Sequence, residues 1–145
     1  MSSIQNEYNL LCRLFDTDLA EISHHEDIGL LAYSPLAAGL LSGKYQNGNV
    51  PKGSRADINP DLHGRMTQWQ EPAVAAYCAI AKKHGLDPSA MALAFLLTRP
   101  FMASVIIGAT TMDQLKINIS AKDVVITPQI AQEIQAVYRQ YPMPI

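Results

Sequence analysis

Two stretches set the strongest limit on how this chain folds. One is Tyr33-Ser34-Pro35-Leu36-Ala37-Ala38-Gly39-Leu40-Leu41-Ser42-Gly43-Lys44; the other, about seventy residues later, is Ile107-Gly108-Ala109-Thr110-Thr111-Met112-Asp113-Gln114. In each, a buried-looking apolar run (29–36 and 103–108) opens into small, hydroxylic and glycine residues. A parallel α/β sheet presents backbone amides and hydroxyls at its carboxyl edge in this way, and that edge is where such folds bind phosphorylated ligands.

The 145 residues, 48% of them hydrophobic, suffice for the core of one ordinary domain, so 1–145 reads as a single segment. A net charge of −2 from 11 basic and 13 acidic residues gives no electrostatic reason to expect nucleic acid or an anionic membrane surface. Cys12 and Cys78 have neither CxxC spacing nor a secretory framework and read as free, buried thiols of a reducing compartment. The first residues, MSSIQNEYNLL, lack a basic start followed by an apolar core, and no run approaches a membrane span, so a cytoplasmic location is expected.

Along the chain, 3–8 reads as a short strand. Asp16 or Thr17 is placed to cap a helix over 18–27 with Leu19 and Ile22 on one face; Gly29 stops it, and 30–33 reads as a buried strand. From Ser42 to Gln70, glycine, proline, asparagine and aspartate recur without periodicity, which marks a long loop, either a lid or a segment disordered without partner strands. Glu71-Pro72 opens a helix with Val74, Tyr77, Cys78 and Ala81 on one face, closing at His84-Gly85. Asp87-Pro88 caps the next, with Met91, Ala94, Phe95 and Leu97 inward until Arg99-Pro100.

Residues 103–108 read as a further buried strand. Thr111-Met112-Asp113-Gln114 matches the capping box that starts a helix through about Ser120, and a last helix begins at Thr127-Pro128 with Ile130, Ile134 and Val137 inward. This alternation implies parallel strands joined by crossovers. Three short strands are few for a parallel sheet, whose two faces both need cover. The four histidines lack metal-ligand spacing, and His24-His25 reads as a solvated helix end.

The runs YSPLAAGLLSGKY, GSR (53–55), AKKHGLDPSAMALAFLLTRP and IIGATTMDQLKIN together resemble the C-terminal part of the aldo-keto reductases, particularly the Tas-like and potassium-channel β-subunit-like branches. The resemblance runs from Ile4 to about the last helix. It implies a partial (β/α)8 TIM barrel, approximately the last three βα units of a barrel roughly twice this length. The family's catalytic aspartate, tyrosine, lysine and histidine lie in the first four units, none of whose motifs is present, so no catalytic residue is carried over.

The resemblance implies the nucleotide half of an NADPH site. Gln5 matches the glutamine that hydrogen-bonds the nicotinamide carboxamide, and Tyr33 the aromatic that stacks on the ring; an amide and an aromatic face suit those tasks. Ser34, Pro35, Leu36 and Ala37 match the pyrophosphate-side turn. Lys44 and Arg55 match basic residues of the covering loop, where positive charge neutralises phosphate. Gly108, Thr110, Gln114 and Asn118 match positions around the adenosine and its 2′-phosphate, at a helix amino terminus suited to an anion. Many relatives carry arginine at the position of Gln114, whereas the channel-subunit branch has glutamine; an acid usual at position 117 is replaced by Ile117.

Each residue also has a structural reading. Gln5 as a buried amide, Tyr33 as a core aromatic, Lys44 and Arg55 as solvated charges, and Gln114 as the third residue of a capping box all remain open. Two functions are therefore expected: the cofactor-binding portion of a carbonyl reductase, inactive without its catalytic half, or a noncatalytic module that self-associates. Open strand edges and an uncovered face predict a homo-oligomer, or docking of a complementary barrel half, under either.

Overall fold

A computed structural model describes residues 3–145. Its centre is one parallel sheet, β1 (Ser3–Glu7), β2 (Gly29–Tyr33) and β3 (Met102–Val105), in that spatial order. The helices are α1 (Asp18–His25), α2 (Arg55–Ile58), α3 (Gln70–Lys83), α4 (Pro88–Leu97), α5 (Met112–Ser120) and α6 (Pro128–Gln140). The expected strand and helix alternation is thus present, with parallel pairing throughout.

Helix starts follow local chemistry. The side chains of Asp87, Thr111 and Thr127 each accept a hydrogen bond from a backbone N–H in the first turn of α4, α5 and α6, and proline follows directly in α4 and α6. At α1 the expectation fails. Thr17 precedes the helix but its hydroxyl donates to Leu14 O, while Asp16 is taken by Arg13, Arg99 and the Tyr8 hydroxyl. α1 ends at His25 and the chain turns at Asp27, whose φ of 49° is left-handed.

Gly29, expected to stop that helix, instead opens β2. A β-carbon there would sit 2.5 Å from the Ala103 methyl, at the bulge where Leu30 and Leu31 pair with Met102 and Ser104. Two strands this close tolerate only glycine at that position.

The sheet has two unequal faces. Leu30 and Ala32 are fully buried, and Ile4, Met102 and Val105 join them in a core with Met91, Phe95 and Leu96 of α4, Val74, Tyr77 and Ala81 of α3, and Ile130, Ile134 and Val137 of α6. On the other face, Gln5 and Ser104 are exposed, Leu31 is half-buried and Tyr33 is 38% exposed. Alternation of side chains along a strand produces this division.

Three expectations about burial are corrected. β3 ends at Val105 rather than Gly108, and Ile106 and Ile107 are exposed, although Ile106 N still donates to Ala32 O at 2.8 Å. An edge strand with one neighbour and one open face cannot bury a continuous apolar run. Ile22 and Leu97 are likewise exposed, because α1 turns Ser23 inward and α4 buries Met91 through Leu96 but ends at the surface.

The 42–70 segment is ordered rather than structureless. It holds short helical turns and α2, and Tyr45, Ala56 and Leu62 anchor it in the core at intervals too irregular to read as periodicity. Cys12 and Cys78 are free as expected but half-buried, and burial pushes both thiols up from their ordinary pKa. Among the described residues no helix is long and apolar enough to cross a membrane.

Candidate functional site

Parallel pairing brings the chain past all three strands out at one edge of the sheet. Glu7 leads into Tyr8 and Asn9, Tyr33 into the 34–44 turn, and Val105 into the 106–111 segment and α5. The two glycine-containing junctions, distant in sequence, therefore flank each other across adjacent strands.

Gln5 and Tyr33 share the open face: Gln5 pairs with Leu31, and Glu7 with Tyr33. Both are exposed, so neither is the core amide or core aromatic that was the alternative. Tyr33 presents a flat, solvent-reachable ring at the very end of β2, with exposed Ile106 on its β3 side.

The turn after Tyr33 is unusual backbone. Ser34 (φ 50°), Ala37 (φ 47°) and Ala38 (φ 57°) are left-handed although none is glycine, and Gly39 follows at 93°. Side-chain-bearing residues adopt this region only where surroundings enforce it. Here Ala37 N donates to Ser34 O at 2.8 Å, the Asn9 side-chain amide donates to the same oxygen at 3.0 Å, and Leu40 and Leu41 plug the turn into the core. Ser34 and Leu36 are half-buried, whereas Pro35 is buried and Ala37 has no exposed surface, so Ala37 forms the floor of the turn and offers nothing to a ligand.

Lys44 folds back over this turn. A β-carbon on Gly39 would meet Lys44 Cε and Nζ at 3.1 Å, and the ammonium lies 5.0 Å from the Tyr45 ring centroid. The Tyr45 hydroxyl in turn accepts from Ala56 N at 3.3 Å, tying α2 and its exposed Arg55 to the same region. Among the described residues neither Lys44 nor Arg55 makes an ion pair.

At the third strand the amides have structural work. Thr111 Oγ1 accepts from Gln114 N, as a capping box requires, but Gln114 Oε1 reaches back to Thr110 N and Oγ1 (3.0 and 3.1 Å) rather than to Thr111. Asn118 is buried and donates to Gly108 O at 3.3 Å. Both side chains fix the 108–111 loop at the start of α5, leaving Gly108 and Thr110 exposed.

Two residues of this edge escape a reading of the sequence alone. Asn9 is fully buried; it donates to Glu7 Oε1 and Ser34 O and accepts from Leu11 N and Cys12 N. Arg65 pairs with Glu7 through two contacts of 3.2 and 2.7 Å. A lone asparagine and charges far apart in sequence carry no local signal; only the fold joins them. A hollow of about 370 Å³ opens at the opposite edge, beside Ser23, His24, Gly29 and Arg99, away from these groups.

Comparison with known proteins agrees with the geometry. The signature of the Aldo/keto reductase family matches residues 1–139. Protein tas of Escherichia coli is 48% identical over 142 residues, covering 98% of this chain and 41% of that protein. A putative voltage-gated potassium channel subunit beta of Schizosaccharomyces pombe is 32% identical, over 97% of this chain and 43% of its own length. An uncharacterized oxidoreductase of Mycobacterium tuberculosis is 38% identical over 77% of this chain and 34% of its own. The chain spans less than half the length of these relatives. With a family signature across nearly its whole length, this chain belongs to the aldo/keto reductase family.

Proposed function

We propose that the chain is the cofactor-binding C-terminal portion of an NADPH-dependent aldo/keto reductase, corresponding to approximately the last three βα units of a (β/α)8 barrel. The observation that carries this reading is the exposed Tyr33 ring on the open sheet face, level with Glu7 and two residues beyond the Gln5 and Leu31 pair, at the mouth of a left-handed turn. When bound, NADPH supplies hydride for reduction of a carbonyl. Tyr33 stacks against the nicotinamide, Gln5 holds its carboxamide, and Ser34, Leu36, Lys44 and Arg55 meet the phosphates. Gly108 and Thr110 receive the adenosine end at the start of α5, with Gln114 and Asn118 shaping that loop.

The residues fit such a ligand at the nicotinamide end best. An exposed ring, an exposed amide and two cations without ion pairs are groups with capacity left for a partner. The family's catalytic tetrad has no matching motif in this sequence, and the buried Tyr8 and Tyr77 hydroxyls, pushed up from the ordinary tyrosine value chiefly by burial, are committed to Asp16 and Leu10 O. The chain alone is therefore expected to bind cofactor without reducing carbonyls.

NADPH fluorescence titration of the purified chain tests this reading. Saturable binding supports it, and no binding at high micromolar cofactor overturns it. A second reading, self-association as a noncatalytic module, draws support from the open edges of β1 and β3 and the exposed Ile106 and Ile107. Sedimentation showing a compact monomer overturns that alternative.

A further inference from the structure

At the amino edge of the sheet, away from the cofactor groups, two side chains have chemistry left unmet in one place. Among the described residues, two buried side-chain polar atoms lack a hydrogen-bond partner, Ser23 Oγ and Arg99 Nε, and both residues line the hollow of about 370 Å³. Ser23 is only 4% exposed. Buried polar atoms in folded proteins are nearly always paired, so two orphans on one hollow point to a partner that enters it.

Charge around the hollow is unbalanced in a matching sense. Asp16 accepts from Arg13 Nε and from the Tyr8 hydroxyl, both at 2.6 Å, whereas Arg99 Nη2 stands off at 3.4 Å. One carboxylate thus answers two guanidiniums, and the cation left short is the one on the wall. Asp27 also lines the hollow, but it is exposed and water screens its charge. The Arg99 guanidinium lies 5.5 Å from the Phe101 ring centroid, and Ile28, Phe101 and Met102 make much of the remaining wall apolar.

We propose that this hollow is a ligand site separate from the cofactor edge, for a small organic acid whose carboxylate meets Arg99 and Ser23 while its apolar body lies on Ile28 and Phe101. The guanidinium fork matches a carboxylate, and the serine hydroxyl adds a third donor. Both orphan atoms are covered as the side chains stand, so the acid engages them after a turn about Ser23 χ1 and a swing of Arg99, whose hold on Asp16 is already long. A volume of this size lies at the small end of ligand pockets and admits a chain of a few carbons. None of this depends on the cofactor reading.

The test is a titration of the 145-residue chain with hexanoate, hexanamide and inorganic phosphate, followed by backbone amide chemical shifts. Hexanoate is expected to give saturable shifts centred on 20–29 and 99–103. Hexanamide should bind at least ~10-fold more weakly for want of charge, and phosphate at least ~10-fold more weakly for want of an apolar body. Ser23→Ala removes an unpaired hydroxyl, so its thermal midpoint should match or exceed wild type while hexanoate affinity falls ~5-fold. Arg99→Lys, which keeps charge but loses the fork, should lower hexanoate affinity ~10-fold. If Arg99→Lys does not fold, Ser23→Ala and the hexanamide comparison decide. No saturable shift at tens of millimolar hexanoate overturns the site, as do shifts centred on 33–44 or 108–118. Equal binding of hexanamide overturns the carboxylate contact, and equal binding of phosphate overturns the apolar one. A Ser23→Ala chain with a lower midpoint and unchanged affinity overturns the part given to Ser23.

Discussion

The two faces of the sheet are built from alternate residues of the same strands yet obey different rules. Leu30 and Ala32 are sealed under α3, α4 and α6; Gln5, Leu31, Tyr33 and Ser104 look outward. On the sealed face a residue is defined by the volume it fills. On the open face it is defined by what it can offer a partner, and the left-handed Ser34, Ala37 and Ala38 and the Glu7–Arg65 pair lie along that face's carboxyl edge.

The largest test of this contrast is a pair of neighbours. Leu30→Ala should cost about 2–5 kcal/mol in urea unfolding, because a fully buried side chain leaves a cavity. Leu31→Ala, one residue on, should cost under about 1 kcal/mol, since its side chain lies on the open face and is only partly buried. Equal losses would erase the distinction between the faces. Gly29→Ala should cost about 1–3 kcal/mol by forcing β2 and β3 apart at Ala103.

Tyr33→Ala is expected to move the other way. NADPH affinity should fall ~10-fold with a thermal midpoint close to wild type, since an aromatic stacking contact on an open face is worth about 1 kcal/mol to a ligand and little to the fold. A collapse in stability with unchanged affinity would return Tyr33 to the core.

The smallest effect lies at the rim of the sealed side. Glu133 on α6 is held down to about 2 by the Lys83 ammonium, then by His84 and Gln129, from an ordinary 4.5. Its carboxylate is charged and paired above that ordinary value, so its contribution is fully present there and fades as pH falls from about 4.5 towards 2. Glu133→Gln should flatten this part of the stability profile; a profile unchanged by the substitution would show that the clasp between α3 and α6 contributes nothing measurable.

The sealed side was also the more legible one in sequence. Ile130, Ile134 and Val137 repeat at helical spacing, and Asp87, Thr111 and Thr127 announce their helices, because these signals act within a turn or two. Ile106 and Ile107 misled because hydrophobicity reports what wants cover, and an edge strand provides it on one side only. On the open edge, Tyr33 and the turn after it were visible through family resemblance. The left-handed Ala37 and Ala38 were not, since alanine gives no sign of that conformation. Nor were the Asn9–Ser34 contact and the Glu7–Arg65 pair, whose partners lie 25 and 58 residues apart and meet only in the fold.

The bulged pairing of β2 with β3 has a further consequence, for the order of folding. β1 meets β2 across 26 residues, from Ser3 to Gly29, whereas β2 meets β3 across 72, from Leu30 to Met102. Closing the longer stretch costs about 1 kcal/mol more chain entropy. The first strand pair is therefore free to assemble early, and until α3 and α4 have delivered Met102 the backbone of β2 stands unpaired on one side. During that interval β2 offers another copy of the chain the edge that β3 later covers.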